Sequence, residues 1–370
     1  MQKVKVGIIG TGMAFERLHY PAFSQLTEQY AIVALCDIEK QKAMQWAHKL
    51  NIGEANVYTD YVEMIKKADL DIVDIMVPIE LNYEVTEKVA SQWDSQRKGI
   101  ICEKPLAPTL NQAIHARVLA KKHSIPIMIA ENYRYNHETD IIRDLVRTKK
   151  IGDVNYFVLN TVSNFPGDMP GDKFPAREWR QYPKYPGGVI TDSALHDIGG
   201  LQYIFGGVEK LHAFGQPLNE PFSPYAVVNV NLSFESGVTG QFSFFCTGQE
   251  MQRPLIGLRI FGSLGMIYLE ERSAGVINIA YNDGRSEQIK YEVEQGFYNE
   301  LLNFYNAFTG LEEISVTPEM EFGDLRVIMC ILDSIKEQKV ITIDGSIPLQ
   351  YLGGISAIHH ETVFSRGNLV

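Results

Sequence analysis

From about Val4 to Ala130, short β-branched runs alternate with helix-length amphipathic segments, and this restricts the fold more than any other feature of the chain. Residues 4–10, 31–37, 71–78, 99–103 and 126–130 read as buried strands: apolar and four to eight residues long, the first ending in glycine and the third in proline. Between them, residues 40–50, 61–67, 83–93 and 110–122 carry apolar side chains at helical spacing. Strand–helix alternation implies right-handed crossovers and a parallel sheet with helices on both faces. In such sheets ligands bind at the carboxyl ends of the strands, near the reversal of strand order. Chemistry is therefore expected just after Ile9, Leu35, Val77, Ile101 and Ala130.

Past Gly152 the period changes to two. Val228, Val230, Leu232 and Phe234 alternate with polar residues, and after Glu235-Ser236-Gly237 so do Val238, Phe242 and Phe244. This is an antiparallel hairpin with one apolar face. Residues 258–261 and 266–269 flank a Gly262-Ser263-Leu264-Gly265 turn, and 276–280 runs into Asn282-Asp283-Gly284. The opposite face carries Asn, Ser, Thr and Gln where a solvated sheet usually has Lys and Glu. Uncharged polar residues suit a half-buried surface, because burying unpaired charge is costly. A second subunit, in a homodimer or homotetramer, is expected there; the alternative is a plain solvated face. Phe297, Leu301, Phe304 and Phe308 form one helical stripe stopped by Gly310, and Thr317-Pro318-Glu319 opens another helix running to about Gln338.

A chain of 370 residues exceeds the roughly 250–300 that one core supports. Two domains are expected: 1–130, a doubly wound parallel sheet, and 131–370, an α+β domain with a large, mostly antiparallel open sheet and flanking helices. With 45 acidic against 34 basic residues, the net charge of −11 opposes a phosphate lattice, so nucleic acid is not an expected partner. No apolar stretch approaches the ~18 residues of a membrane span. The start runs directly into a strand, without a signal-peptide pattern. Four scattered cysteines lack C-x-x-C spacing, and a reduced, cytoplasmic protein is expected. His359-His360 has no acids at ligand spacing, so no metal site is read there.

Gly7-Ile8-Ile9-Gly10-Thr11-Gly12 follows the first strand and precedes a helical run, with Met13 and Ala14 at its start. Close approach of a pyrophosphate needs glycine, and a helix N-terminus supplies donors. Position 15, where a third small residue is expected, is Phe15. Asp37 ends the second strand 25 positions after Gly12, where a carboxylate can accept from ribose hydroxyls and repel a 2′-phosphate, which favours NAD over NADP. Glu103-Lys104-Pro105 ends a buried strand, an unlikely place for lysine on packing grounds. There Lys104 either pairs with Glu103 as local glue or presents an ammonium to a developing alkoxide. Gly187-Gly188 precedes Asp192 and His196, which at four residues apart share a helix face. A histidine beside a carboxylate can be a general base; the alternative is a capping Asp and a satisfied His. Trp179, Arg180, Arg177, Lys184 and Tyr133 fall on expected loops nearby, an aromatic–polar set suited to a polyhydroxylated ring.

The glycine turn, Glu103-Lys104-Pro105, Asn132-Tyr133-Arg134-Tyr135, Trp179-Arg180 and the Gly187-Gly188…Asp192…His196 segment together resemble, in order and spacing, the glucose–fructose oxidoreductase / inositol dehydrogenase / rhizopine-catabolism (Gfo/Idh/MocA) family. The resemblance covers about the first 270 residues. It implies a Rossmann domain joined to a substrate domain, and NAD-linked oxidation or reduction of a sugar, amino sugar or cyclitol. It places Lys104, Asp192 and His196 as the catalytic trio, and Tyr133 and Arg134 with them against the substrate. Cofactor contacts are expected at Gly10, Gly12, Met13, Ala14, Asp37, Val77, Pro78, Asn82, Glu103, Lys104, Trp179 and Arg180. Two departures stand out: Phe15 replaces a small residue, and Asn82 stands where many members have histidine. The same residues would serve an NAD-dependent glycoside hydrolase acting by transient oxidation, or an NAD-binding sensor without catalysis.

Overall fold

The computed structural model describes residues 3–93, 98–169, 177–248 and 256–344. The first sheet has six parallel strands: β1 Val4–Ile9, β2 Tyr30–Cys36, β3 Val57–Tyr58, β4 Ile72–Ile75, β5 Gly99–Glu103 and β6 Ile127–Ala130. Their order is β3-β2-β1-β4-β5-β6, so the direction of winding reverses between β1 and β4. That reversal opens a crevice at the carboxyl edge. Every residue of β4 and β6 is buried, as expected for strands covered on both faces. The five expected strands are present; β3 is two residues long. The expected helix over 110–122 is broken into Leu110–Ala116 and Leu119–His123. The break holds β-branched Val118, a poor helix former, and Arg117 there reaches Glu319 near the end of the chain.

The second sheet has nine strands: β7 Val154–Val162, β8 Val208–Glu220, β9 Ser223–Phe234, β10 Thr239–Phe245, β11 Gly257–Gly262, β12 Gly265–Leu269, β13 Val276–Tyr281, β14 Ser286–Lys290 and β15 Ile341–Thr342. In the order β14-β13-β12-β11-β7-β10-β9-β8-β15 all pairs are antiparallel except β7 with β10. The parallel pair is close-packed: Phe157 lies over Gly240, where a Cβ would sit 2.2 Å from its ring. Val228, Val230, Leu232, Phe242 and Phe244 point inward, while Asn229, Asn231, Thr239 and Gln241 point out. Tyr156 and Phe261, stacked at 4.5 Å, and exposed Phe214 lie among strand residues on the uncovered side.

Two late helices join the layers. Gly296–Phe308 returns to the first sheet: Phe304 is fully buried against Gly99 at the start of β5, and the Tyr30 hydroxyl donates to Leu301 O at 2.7 Å. Pro318–Glu337, capped by the Thr317 side chain, packs between β8 and the helix Leu110–Ala116. The chain just before it, at Val316 O, accepts from Ile129 N in β6. One hydrophobic core consequently runs through both sheets. All four cysteines are free thiols. Among the described residues no helix is long and apolar enough to cross a membrane. His359-His360 lies outside the described residues.

Candidate active site

The turn after β1 is shaped by its neighbours. Gly10 has φ +94°, and a Cβ there would lie 2.1 Å from Met76 O, so only glycine lets β1 pass the end of β4. Gly12 differs: nothing lies within 4 Å of where its Cβ would be. That open space beside a helix start is a cradle into which a pyrophosphate fits. Asp37 Oδ2 accepts from Thr11 N (2.8 Å) and Thr11 Oγ1 (2.9 Å), and Oδ1 accepts from Glu39 N (2.9 Å). A carboxylate has about four acceptor positions, which leaves one for a ribose hydroxyl. The residues present fit a dinucleotide.

The helix that follows is wound in π form over Phe15–His19 and in α form over Tyr20–Gln25. Phe15 is accommodated because its ring enters the core between Tyr20 and Trp46 (centroids 5.8 and 4.7 Å), and the wider turn absorbs the bulk. His19 lies at the end of this π turn, fully buried under the strand ends. Its Nδ1 meets Asp74 Oδ2 at 2.7 Å and its Nε2 meets Glu103 Oε1 at 3.0 Å. Burial opposes a charged imidazole, but the two carboxylates prevail and hold His19 well above its ordinary range. Glu300, from the helix Gly296–Phe308, is buried with neither carboxyl oxygen bonded. Burial and the neighbouring carboxylates Glu103, Asp74 and Glu131 push it well above the carboxylate range, against the pull of His19.

Lys104 follows β5 on a turn fixed from two sides. Glu103 Oε2 accepts from Lys104 N (3.1 Å), and Asn82 Nδ2 donates to Glu103 O (2.9 Å) and Pro105 O (2.8 Å) across a cis Lys104–Pro105 bond. The ammonium crosses the interlayer cleft and donates to Asp192 Oδ1 (2.8 Å) and Asp192 O (2.5 Å). Arg180 Nε donates to the other oxygen of Asp192 at 2.7 Å. Burial would raise the Asp192 carboxyl, yet the Arg180 and Lys104 charges hold it far below the usual range. Asp192 lies in a π-wound segment, Ile190–Ala194, that continues as the helix Leu195–Phe205 carrying His196. Gly188 before it has φ +52° and would place a Cβ 2.1 Å from Phe222 O, so this glycine serves chain packing.

His196 is oriented by Glu131, which follows β6: Nδ1 lies 2.7 Å from Glu131 Oε1, the same oxygen that accepts from Tyr133 N at 3.1 Å. Glu131 is buried. Burial pushes its carboxyl up, but the charges of His196 and Lys104 overcome this and lower it. The Tyr133 ring stacks on the imidazole at 4.3 Å. With Nδ1 committed to a carboxylate, Nε2 is the nitrogen available to a ligand.

Several expected roles are revised by this geometry. Asp192 faces Lys104 and Arg180, and Glu131 is the carboxylate that orients His196. Arg134 is not a substrate residue: it is buried and bidentate to Asp324, with Nη2 at 2.8 Å from both carboxylate oxygens. Asn82 Nδ2 and the Glu103 carboxylate bond protein groups and shape the Lys104 turn, while the buried Asn82 Oδ1 has no protein partner. Val77 and Pro78 follow β4 beside the crevice, and Ala14 remains half-exposed. The Arg177 guanidinium lies against the Met13 sulfur, and Arg180 stacks on Trp179 at 4.3 Å. Lys184 N donates to Glu80 Oε1 (3.2 Å) on the far side of the crevice.

A doubly wound sheet in this order, with a glycine turn after its first strand, defines the class of folds that hold a dinucleotide. Residues 4–131 match the model of the oxidoreductase family with an NAD-binding Rossmann fold, and 140–268 match the GFO/IDH/MocA C-terminal domain. The protein belongs to the Gfo/Idh/MocA family. An uncharacterized protein of Saccharomyces cerevisiae is 24% identical over 346 residues, spanning 90% of this chain and 96% of its own. A myo-inositol 2-dehydrogenase of Thermotoga maritima is 24% identical over 276 residues, 72% of this chain and 75% of its own. Among solved structures, an oxidoreductase from Agrobacterium radiobacter in complex with NAD+, L-tartaric acid and magnesium has a TM-score of 0.80 at 17% identity, covering 92% of this chain and 98% of the other.

Proposed function

We propose that the protein is an NAD-dependent dehydrogenase acting on a secondary alcohol of a sugar, amino sugar or cyclitol. The observation that carries this reading is the pairing of Lys104 with Asp192 and of His196 with Glu131 in one cleft, beside strand ends that fit a dinucleotide. When bound, NAD supplies the hydride acceptor. His196 Nε2 takes the hydroxyl proton, and the Glu131 carboxylate supports the imidazolium as it forms. Lys104 has three N–H donors; two are held by Asp192, and the third is left for the oxygen that becomes an alkoxide. Asp192, fixed by Arg180, keeps the ammonium aimed into the cleft. The remaining acceptor position of Asp37 favours a free ribose hydroxyl, hence NAD rather than NADP. The myo-inositol dehydrogenase relative supports the substrate class.

NADH absorbance over a panel of cyclitols, aldoses and amino sugars tests the activity. His196→Ala is expected to lower turnover at least 100-fold with NAD affinity within a factor of about two; unchanged turnover overturns the assignment. Cleavage of an aryl glycoside without net NADH formation would instead indicate a hydrolase. The uncovered face of the second sheet, with Tyr156, Phe261 and Phe214 among its amides and hydroxyls, supports a homo-oligomer through that face, and light scattering showing a monomer would refute it. Four unpaired thiols, three of them buried, suit a cytoplasmic setting.

A further inference from the structure

A cavity of about 800 Å³ adjoins the site but is not lined by Lys104, Asp192 or His196. It lies between the helix that starts after the glycine turn, the helix Leu195–Phe205, and strands β7, β11 and β12. Tyr133 and Asp197 form the wall nearest the chemistry: one stacks on His196 and the other follows it in the chain. The Arg272 guanidinium is 4.0 Å from the centroid of the same Tyr133 ring, and the imidazole is 4.3 Å from it. Two groups at that height cannot share one face, so Tyr133 stands between them.

The cavity is far larger than one sugar ring requires. Twelve heavy atoms, even granted the roughly 30 Å³ of a liquid water each, occupy about 360 Å³. Its lining also selects by charge. Arg17 and Arg272 are set against four carboxyl groups, Glu138, Asp197, Glu271 and Glu294. Arg272 gives its Nη1 to Glu138 Oε1 (2.9 Å) and Thr139 Oγ1 (3.2 Å). A phosphate or carboxylate would meet more like charge than opposite charge there. Hydroxyls, in contrast, find an acceptor: Asp197 lines the cavity and accepts from Thr161 through only one of its oxygens. Leu159, Leu201, Ile204 and Leu258 give the apolar walls on which the faces of a sugar ring can rest.

We propose that this chamber is a second subsite that takes an uncharged, hydroxylated extension of the substrate, such as the second ring of a disaccharide, while the first ring reacts at His196 and Lys104. The proposal rests on the dehydrogenase reading. Gly200 gives a way to test the two separately. It lines the chamber, and only Arg272 Nη2, at 3.5 Å, lies within 4 Å of where its Cβ would be. Leucine at 200 therefore grows into the chamber from a helix that tolerates it.

The experiment compares NADH formation from glucose, maltose, cellobiose and a UDP-hexose by the unaltered protein and by Gly200→Leu, with Ser273→Trp at the exposed rim as a second variant should the first misfold. At least one disaccharide is expected to show a kcat/KM tenfold or more above glucose. Filling the chamber is expected to raise its KM at least tenfold, with glucose kinetics within twofold. Equal kinetics for disaccharide and monosaccharide, a UDP-hexose as the best substrate, or equal losses on all substrates would overturn the chamber while leaving the dehydrogenase standing. No NADH from any of them, nor from the cyclitol panel, would overturn both.

Discussion

Glu131→Gln isolates the electrostatic part of the His196 assembly, because the structure predicts that its geometry survives. Glu131 Oε1 faces two groups, Tyr133 N at 3.1 Å and His196 Nδ1 at 2.7 Å, whereas Oε2 is buried with no partner. An amide therefore settles with its oxygen in the Oε1 position, since its NH₂ there would oppose the Tyr133 N–H. The tautomer of His196 is preserved and only the charge is lost. Hydrogen bonds to charged groups contribute about 1.5–3 kcal/mol against about 0.5–1.5 for neutral ones, so support for the developing imidazolium falls by about 1.5 kcal/mol. That is roughly tenfold in kcat. Stopped-flow NADH absorbance with saturating NAD and polyol measures it, and the KM for NAD is expected to stay constant. Unchanged kcat would show that His196 takes no proton in the limiting step. A loss near 10⁴ would mean that the amide reverses and locks the wrong tautomer, contrary to the Tyr133 contact.

Three further outcomes follow from buried polar groups. Asn82→Leu strips Glu103 O and Pro105 O of their donor, at about 1–3 kcal/mol for each buried group, and is expected to lower urea stability and kcat together; a stable variant with full turnover would refute the positioning role. Arg134→Leu leaves Asp324 buried without a countercharge, with only the Gln202 amide still donating to it, a loss of about 3–5 kcal/mol in urea unfolding with substrate KM unchanged in the folded fraction; a raised KM would return Arg134 to the substrate. Glu300 has its folded pKa raised above the unfolded value of about 4.3, so its burden is absent below that pH and grows by about 1.4 kcal/mol per unit as pH rises toward the folded value. Glu300→Gln is therefore expected to gain more stability at pH 8 than at pH 4.5, and parallel curves would contradict the buried neutral acid.

How much of this was legible depended on the range of each interaction. Strands such as β4 and β5 announce themselves as continuous β-branched runs because both faces are covered, and the hairpin of β9 and β10 because one is. Central β7 escaped notice: Asn155, Tyr156 and Asn160 interrupt its pattern, since one side of the sheet lies open. Lys104 and Asp192 were visible from motif and spacing. Their mutual contact was not, because it joins residues 88 apart. Glu131 had a signal that could have been used, an acid at the carboxyl end of a buried strand, but nothing local tied it to His196. Arg134 looked like a ligand residue because a buried guanidinium and a binding one are alike in sequence, and its partner Asp324 lies 190 positions away. Phe15 marked a real change, the π turn, whose consequence at His19 needed coordinates to be seen.

On the proposed function, Lys104 and His196 act on one hydroxyl from opposite layers of the molecule. A crystal structure of the protein with NADH and a polyol substrate tests it most directly. Lys104 Nζ and His196 Nε2 are both expected within about 3.2 Å of the same oxygen, on the carbon that faces the nicotinamide. A bound polyol whose nearest hydroxyl meets only one of the two, or neither, would contradict it.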